Sequence, residues 1–314
     1  MLQRLRFIPL RIVQAIPVVF GVTLVVFFLV RFLPGSPAIA MLGEHATPAA
    51  IAAVDKEYGL NAPIWVQYGD FIGNLVRGNL GQSLFYHQPV SQLVRVGFPA
   101  TLYLVVYAIV LTVIISVPLA AVAASAPGRA RDQFVRVGPL VGLGMPQFWV
   151  GIMLILILGV RLKIFPIGGY GSDFVANLGY LFLPALTVAI SMSPIVIRSL
   201  RSAMISVLGS DYVGTARSKG TSPFHLFSRH VLRNAAVPTV TVLGVNVGYL
   251  LGGTIVVEKV FALPGLGNYM VTAIFNRDFP TVQGITLVIA LMVVVVGILT
   301  DVVYALLDPR VKLA

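Results

Sequence analysis

The sequence predicts an all-α, polytopic membrane protein with six transmembrane helices and both termini on the cytoplasmic side. Three observations predict it: the composition, six long apolar runs, and the placement of positive charge between those runs. Of the 314 residues, 58% are hydrophobic and only 11% are charged, with a mean hydropathy of +0.94. A soluble domain carries roughly a quarter of its residues as charges. Much of this surface is therefore expected to face lipid. The chain has no cysteine, which excludes disulfides and thiolate metal sites.

A spanning helix needs about 20 apolar residues, because the hydrocarbon core is about 30 Å thick and each residue rises about 1.5 Å. Six runs free of Asp, Glu, Lys and Arg meet that length: Ile12–Val30, Thr101–Ala126, Val137–Val160, Phe174–Ile197, Asn234–Val257 and Thr281–Thr300. The first is too long for a cleaved signal peptide and lacks a small-x-small cleavage site. Arg31-Phe32-Leu33-Pro34 follows it directly.

Lys and Arg concentrate in cytoplasmic connections. With the N-terminus inside, the inner segments hold Arg4, Arg6, Arg11, Arg129, Arg131, Arg136, Arg198, Arg201, Arg217, Lys219, Arg229, Arg233, Arg310 and Lys312. Against these stand only Asp132, Asp211 and Asp308. The outer segments pair the other cations with seven acids, Glu44, Asp55, Glu57, Asp70, Asp173, Glu258 and Asp278. Six spans return the C-terminus to the inner side. The formal charge of +11 is spread over short loops beside apolar helices, so it reads as a topology signal and not as a nucleic-acid footprint.

Two connections are long enough to carry structure. In the outer one, Thr47-Pro48 reads as an N-cap with proline at the first helical position. That helix runs to about Tyr58, with Gly59 as its stop. A second runs from Pro63 to about Val76, stopped by Gly78, with Ile64, Tyr68, Phe71 and Leu75 on one face. The pair is either a cap over the bundle's outer mouth or a docking surface for an external partner.

The inner connection, Arg198 to Arg233, is the most informative stretch. Asp211 is placed to cap a short helix through Lys219, and Gly220 to end it in a left-handed turn. Ser222-Pro223 starts a second helix, with Phe224, Phe227 and Val231 on one face. A compact, basic helix–turn–helix of this kind suits a partner's groove. Arg217, Lys219, Arg229 and Arg233 read as partner contacts or structural salt bridges, with topology determinants alone as the alternative.

This stretch resembles the cytoplasmic "EAA" loop of ATP-binding cassette importer permeases. It stands as Asp211-Tyr212-Val213-Gly214-Thr215-Ala216-Arg217-Ser218-Lys219-Gly220, then Arg229-His230-Val231-Leu232-Arg233-Asn234-Ala235 and Pro238. Gly214 replaces the usual Arg of the dipeptide/oligopeptide (DppB/OppB-like) branch and Ser218 the usual Ala. The glycine weakens the short helix by up to about 1 kcal/mol relative to Ala. Further stretches resemble the same family in order: Leu33-Pro34-Gly35-Ser36-Pro37, Tyr58-Gly59-Leu60-Asn61-Ala62-Pro63, Gly78-Asn79-Leu80-Gly81-Gln82-Ser83, Gly252–Phe261, Leu263-Pro264-Gly265-Leu266-Gly267, Asn276-Arg277-Asp278-Phe279-Pro280 and Asp301–Arg310. Glutathione and nickel permeases share these signatures.

The resemblance implies a type I importer permease fold in the bacterial inner (cytoplasmic) membrane. It implies a first segment and span over 1–31, an external helical region over 32–100, a five-helix core over 101–307 containing the coupling loop 198–233, and a cytoplasmic tail over 308–314. It implies a non-catalytic subunit that moves dipeptides or oligopeptides by alternating access. Its expected partners are a second, homologous permease, two ATP-binding subunits and an extracytoplasmic substrate-binding protein. No cofactor is expected in this chain, and ATP and Mg would be bound by the ATPase subunits. The sequence holds no Gly-x-x-x-x-Gly-Lys-Ser/Thr phosphate loop of its own. Coupling to an ATPase falls to Asp211, Tyr212, Gly214, Thr215, Ala216, Arg217, Lys219 and Gly220, and structural or gating roles to Arg229, His230, Arg233 and Asp301.

Asp301 is an intramembrane acid, which marks a functional candidate, yet it lies seven residues before Asp308 and is read first as a structural partner of a base. Glu258 and Asp278 read as solvated ends of spans, with attraction of a peptide amine as the alternative. His45, His87, His225 and His230 share no ligand spacing, and the last two, five apart, do not fall on one α-helical face. Pro17, Pro118, Pro146, Pro184, Pro194 and Pro238 are kink candidates. An ion-coupled transporter acting alone would need more ionisable groups in the bundle and often shows internal repeats. A membrane enzyme would need a polar cluster at a boundary.

Overall fold

The computed structural model describes residues 8–32, 37–43, 46–57 and 61–307. Among them every extended element is helical except an isolated antiparallel bridge, Gln82 to Pro89. Arg4, Arg6, the 33–36 part of the Leu33–Pro37 motif, Glu44, His45, Tyr58-Gly59-Leu60 and the 308–314 tail with Asp308, Arg310 and Lys312 lie outside the described residues.

The elements in chain order are α1 (Ile8–Phe32), α2 (Pro37–Leu42), α3 (Pro48–Glu57), α4 (Ile64–Val76), α5 (Val90–Ser125), α6 (Ala130–Gly144), α7 (Gln147–Leu154), α8 (Phe174–Tyr180), α9 (Phe182–Leu208), α10 (Asp211–Ser218), α11 (Pro223–His225), α12 (Arg233–Val260), α13 (Leu266–Phe275) and α14 (Phe279–Leu307). Two π-helical segments extend them, Ile155–Arg161 after α7 and Leu226–Leu232 between α11 and α12. Five helices are long and apolar enough to cross a membrane, six if one bent pair counts as a single span. The chain is a multi-pass membrane protein.

That bent pair corrects the third expected span. Val137–Val160 is not one rod: α6 and α7 meet at 101°. Pro146 causes the break. A proline disfavours the α conformation in the residue before it and has no N–H to continue the ladder. Met145 is accordingly extended, at φ −92° and ψ 132°. The neighbouring spans are longer than the apolar runs. The second begins at Val90, not Thr101, and the fourth begins at Phe182, after a separate α8, and continues past Arg198 to Leu208.

The described chain divides into two compact units. One contains 12–101 and 264–292. In it Tyr68 of α4 packs edge-on against Phe27 of α1 at 5.1 Å and shares a 2.8 Å hydrogen bond with Thr23. Thr47 caps α3 as expected, its hydroxyl accepting from Ala50 N–H at 3.2 Å. Tyr68, Phe71 and Leu75 form the half-buried face of α4, whereas Ile64 is exposed. Gly78 ends that stretch at φ +75°.

The other unit contains, among the described residues, 8–11, 102–263 and 293–307. Its centre is α9, whose best apolar window is 67% buried against 17–28% for the other long helices. Small buried residues (Ala185, Thr187, Ala189, Ser193) let α6, α7 and α12 approach it. Hydroxyls in these apolar surroundings donate back to their own helix, Thr187 to Leu183 O at 2.8 Å and Ser193 to Ala189 O at 2.6 Å. Elsewhere the helices expose apolar side chains, such as Val106, Val110 and Ile114 on α5 and Val295 and Leu299 on α14. These are faces for lipid.

Candidate functional site

The connection from α9 to α12 is a short helix, a left-handed turn and a second helix start. Ser210, not Asp211, occupies the N-cap of α10, at φ −81° and ψ 147°. Its hydroxyl turns back and donates to Val207 O at 2.5 Å, so no side chain caps the helix. Asp211 is the first helical residue, where its charge complements the positive end of the helix dipole. Lys219 is the C-cap. Gly220 follows at φ +73°, donating to Arg217 O at 3.0 Å, and Thr221 N–H donates to Ala216 O at 3.2 Å. This is a Schellman stop, which needs the left-handed residue that glycine supplies. Ser222 then caps the next helix, its Oγ accepting from His225 N–H at 3.4 Å, with Pro223 at the first position.

The expected apolar face of that helix is corrected. Val231 is buried and Phe227, half-buried, packs against the same cluster as expected, but Phe224 is 81% exposed. The π winding over Leu226–Leu232 bonds each residue five along instead of four. Leu226 and Val231, five apart, are therefore the buried pair. The same winding overturns the expectation for the histidines. His225 and His230 do share a face, with ring centroids 6.3 Å apart. Among the described residues no three metal-ligating side chains lie together.

The element is seated on a buried cluster. Ala120, Ala123, Val135, Ile197, Leu200, Met204, Val231 and Ala235 pack together at this end of the unit. Val213, 1% exposed, is the buried side chain of α10, which packs against α9 and the π segment. Asp211, Tyr212, Gly214, Thr215, Arg217, Lys219 and Gly220 all face outward, and Ala216 is half-buried. No neighbouring atom approaches the position a Cβ on Gly214 would take, so packing does not demand glycine there. Arg229 and Arg233 are exposed on the adjoining turns and His230 is half-buried. Arg217, Lys219, Arg229 and Arg233 form no ion pair with a described residue.

Asp301 is elsewhere, on α14, and pairs with Arg11 Nε at 2.9 Å. Both side chains are about a third exposed, at 27% and 38%. A pair this wet contributes little to stability.

Below the element lies an ion pair that the sequence reading did not single out. Asp132, fully buried near the start of α6, accepts from Arg201 Nε at 2.5 Å and from its Nη2 at 2.6 Å, and from Gly128 N–H at 2.8 Å. The fork fixes α6 against the end of α9. Its only sequence signal is that Asp132 is the one acid in the first inner connection, beside Arg129, Arg131 and Arg136. Breaking a buried pair leaves one charge without its partner. Arg201→Ala is expected to lower the apparent Tm in detergent by roughly 10 °C, and Arg198→Ala, on an exposed cation three residues away, by far less. Equal shifts would show that the fork contributes nothing special.

The sequence also matches known proteins. Residues 4–105 match the N-terminal model of binding-protein-dependent transport system membrane components, and residues 116–313 match the model of their inner-membrane component. The chain belongs to this family of transport permeases. A Brucella abortus chain named for a peptide transport system permease is 38% identical over 305 residues, 96% of this chain and 97% of that one. The oligopeptide transport system permease AppB of Bacillus subtilis is 35% identical over 308 residues, covering 96% and 98%. The dipeptide transport system permease DppB of Escherichia coli K12 is 35% identical over 335 residues, covering 98% and 99%. The family does not favour an ion-coupled carrier acting alone.

Proposed function

We propose that this chain is the membrane permease subunit of an ATP-binding cassette importer that carries dipeptides or oligopeptides inward across a bacterial cytoplasmic membrane. The observation that carries the reading is the 210–232 element: an outward-facing helix and glycine-stopped turn, seated on a buried cluster, with cations that form no ion pair with a described residue. In this reading two ATPase subunits bind ATP and Mg and engage α10, and a second permease completes the path. An extracytoplasmic binding protein delivers peptide at the other face. The chain has no catalytic residues or cofactor, and its cation bias sets both termini inside. ATP-driven closure would move α10 and switch the bundle between inward-open and outward-open states as a rigid body. The test is purification from native membranes with the subunits that accompany the chain. Peptide-stimulated ATP hydrolysis by the assembly is expected. Uptake driven by a proton gradient without any ATPase chain would sink the reading.

Peptide passage also needs a surface, and α9 and α12 offer one. A cavity of about 360 Å³ is lined by Gln147, Ser191, Asn246 and Tyr249 among apolar neighbours. These groups are polar but uncharged, and suit peptide amides whatever the side chains they carry. Because the chain has no cysteine, single replacements report access cleanly. Ser191→Cys and Asn246→Cys are expected to label with a membrane-impermeant thiol reagent and to be protected by peptide. Val110→Cys, on the lipid face of α5, should not label. Labelling that ignores peptide would place the path elsewhere.

A further inference from the structure

We infer that a cavity between α6 and α9 binds the phosphate headgroup of an anionic phospholipid. The cavity has a volume of about 420 Å³, within the range of small-molecule sites. Its polar lining is Gln133, Arg136, Arg198 and Arg201. Two features open it. Pro139 and Pro194 both line it, and a proline inside a helix removes a backbone bond and displaces the turn before it. On one side the helices close again at Gly142, where a Cβ would stand 3.2 Å from Ile190 Cγ2. On the other side they are tied by the Asp132–Arg201 fork.

The charge of this space does not cancel. Its lining holds no acid, and both carboxylate oxygens of Asp132, which pairs with Arg201, are taken by Arg201 and by Gly128 N–H. Arg136 feels the same carboxylate only through space. Arg136 and Arg198 are exposed and form no ion pair with a described residue. The cavity therefore presents two guanidinium groups in excess, and guanidinium matches a phosphate oxygen pair with two parallel hydrogen bonds.

The surroundings choose between anions. Beside these cations α6 exposes Phe134 at 78%, Val137 at 63%, Leu140 at 49% and Val141 at 56%. A free phosphate or an acidic peptide would engage the arginines alone. A phospholipid covers both surfaces, with its phosphate on the arginines and its acyl chains along α6. Basic pockets between spanning helices are a recognised setting for such headgroups.

The test uses the full chain, purified in a neutral detergent with the subunits that accompany it. It is titrated with phosphatidylglycerol, phosphatidylcholine or inorganic phosphate, and read by retained lipid in native mass spectrometry and by apparent Tm. Phosphatidylglycerol is expected to be retained and to raise Tm, with the other two much weaker. The double variant Arg136→Gln/Arg198→Gln should bind it roughly thirtyfold more weakly. Arg161→Gln, an exposed arginine at the end of the other π segment, should behave as the parent. Unchanged phosphatidylglycerol binding in the double variant would overturn the proposal. So would an equal effect of phosphatidylcholine, which would mark an acyl surface only. An equal effect of inorganic phosphate would assign the arginines to a soluble anion instead.

Discussion

Asp278→Ala is expected to destabilise the protein by about 3–5 kcal/mol. The side chain is fully buried at the start of α14. It accepts from Ser83 Oγ at 2.5 Å, from Leu84 N–H at 3.1 Å, from Phe85 N–H at 3.4 Å and from Thr281 Oγ at 2.7 Å. It also caps α14 through Thr281 N–H at 3.4 Å. The sequence reading took Asp278 and Glu258 for solvated helix ends, and both are fully buried instead. Removing the carboxylate strands several donors, each costing about 1–3 kcal/mol where water cannot replace the partner. It also frees the 81–90 turn, which Tyr86 helps to seat by an edge-on contact with Tyr269 at 5.6 Å. Burial pushes the Tyr86 phenol above its ordinary pKa, so that ring stays neutral. The measurement is apparent Tm together with the protein level in the membrane. Asp278→Asn, which keeps the shape and one acceptor, should lose about half as much. Asp70→Ala, on an exposed acid of α4, should lose little. Parity between Asp278→Ala and Asp70→Ala would show that the buried network does not hold the turn.

This site shows where the sequence was legible and where it was not. Spans follow from run length, and the caps at Thr47, Ser222 and Gly220 follow from residue types within four positions of each other. Each signal is local; the structure keeps these caps and five of the six spans, and breaks the third at Pro146. Asp278 also reaches Ser83, 195 residues away, and Asp132 reaches Arg201, 69 away. Nothing local marks such pairings. Two of the resembled stretches, Gly78–Ser83 and Asn276–Pro280, are joined through this one carboxylate, a relation their separate spacing does not reveal. The π turns were hidden for another reason. An apolar pattern at five-residue spacing looks like noise against a 3.6-residue period, so Leu226 does not stand out as a partner of Val231, and His225 and His230 read as lying on different faces. Pro146 was legible as a kink, but its 101° came from Met145 turning extended, which the proline favours and does not compel.

The double charge reversal Arg217→Glu/Lys219→Glu is expected to reduce peptide uptake by at least about tenfold while leaving the fold intact. Both residues are exposed and form no ion pair with a described residue, so the change costs the isolated chain little. At an interface the cost differs, because reversing a charge against a complementary partner costs several kcal/mol, and each 1.4 kcal/mol is a factor of ten. Val213→Ala probes the same element from the opposite side. It keeps both cations and removes buried volume under α10, so it should loosen the seat, lowering stability by about 1–2 kcal/mol and blunting peptide stimulation of ATP hydrolysis. The two variants separate contact from support. The reversed chain should purify at normal stability with its ATPase subunits depleted. The Val213 variant should keep those subunits but transmit less of their motion. Full uptake by Arg217→Glu/Lys219→Glu at normal expression would mean that α10 does not meet its partner through charge, and would leave Tyr212 and Thr215, the neutral groups on the same exposed face, as the contact to test next.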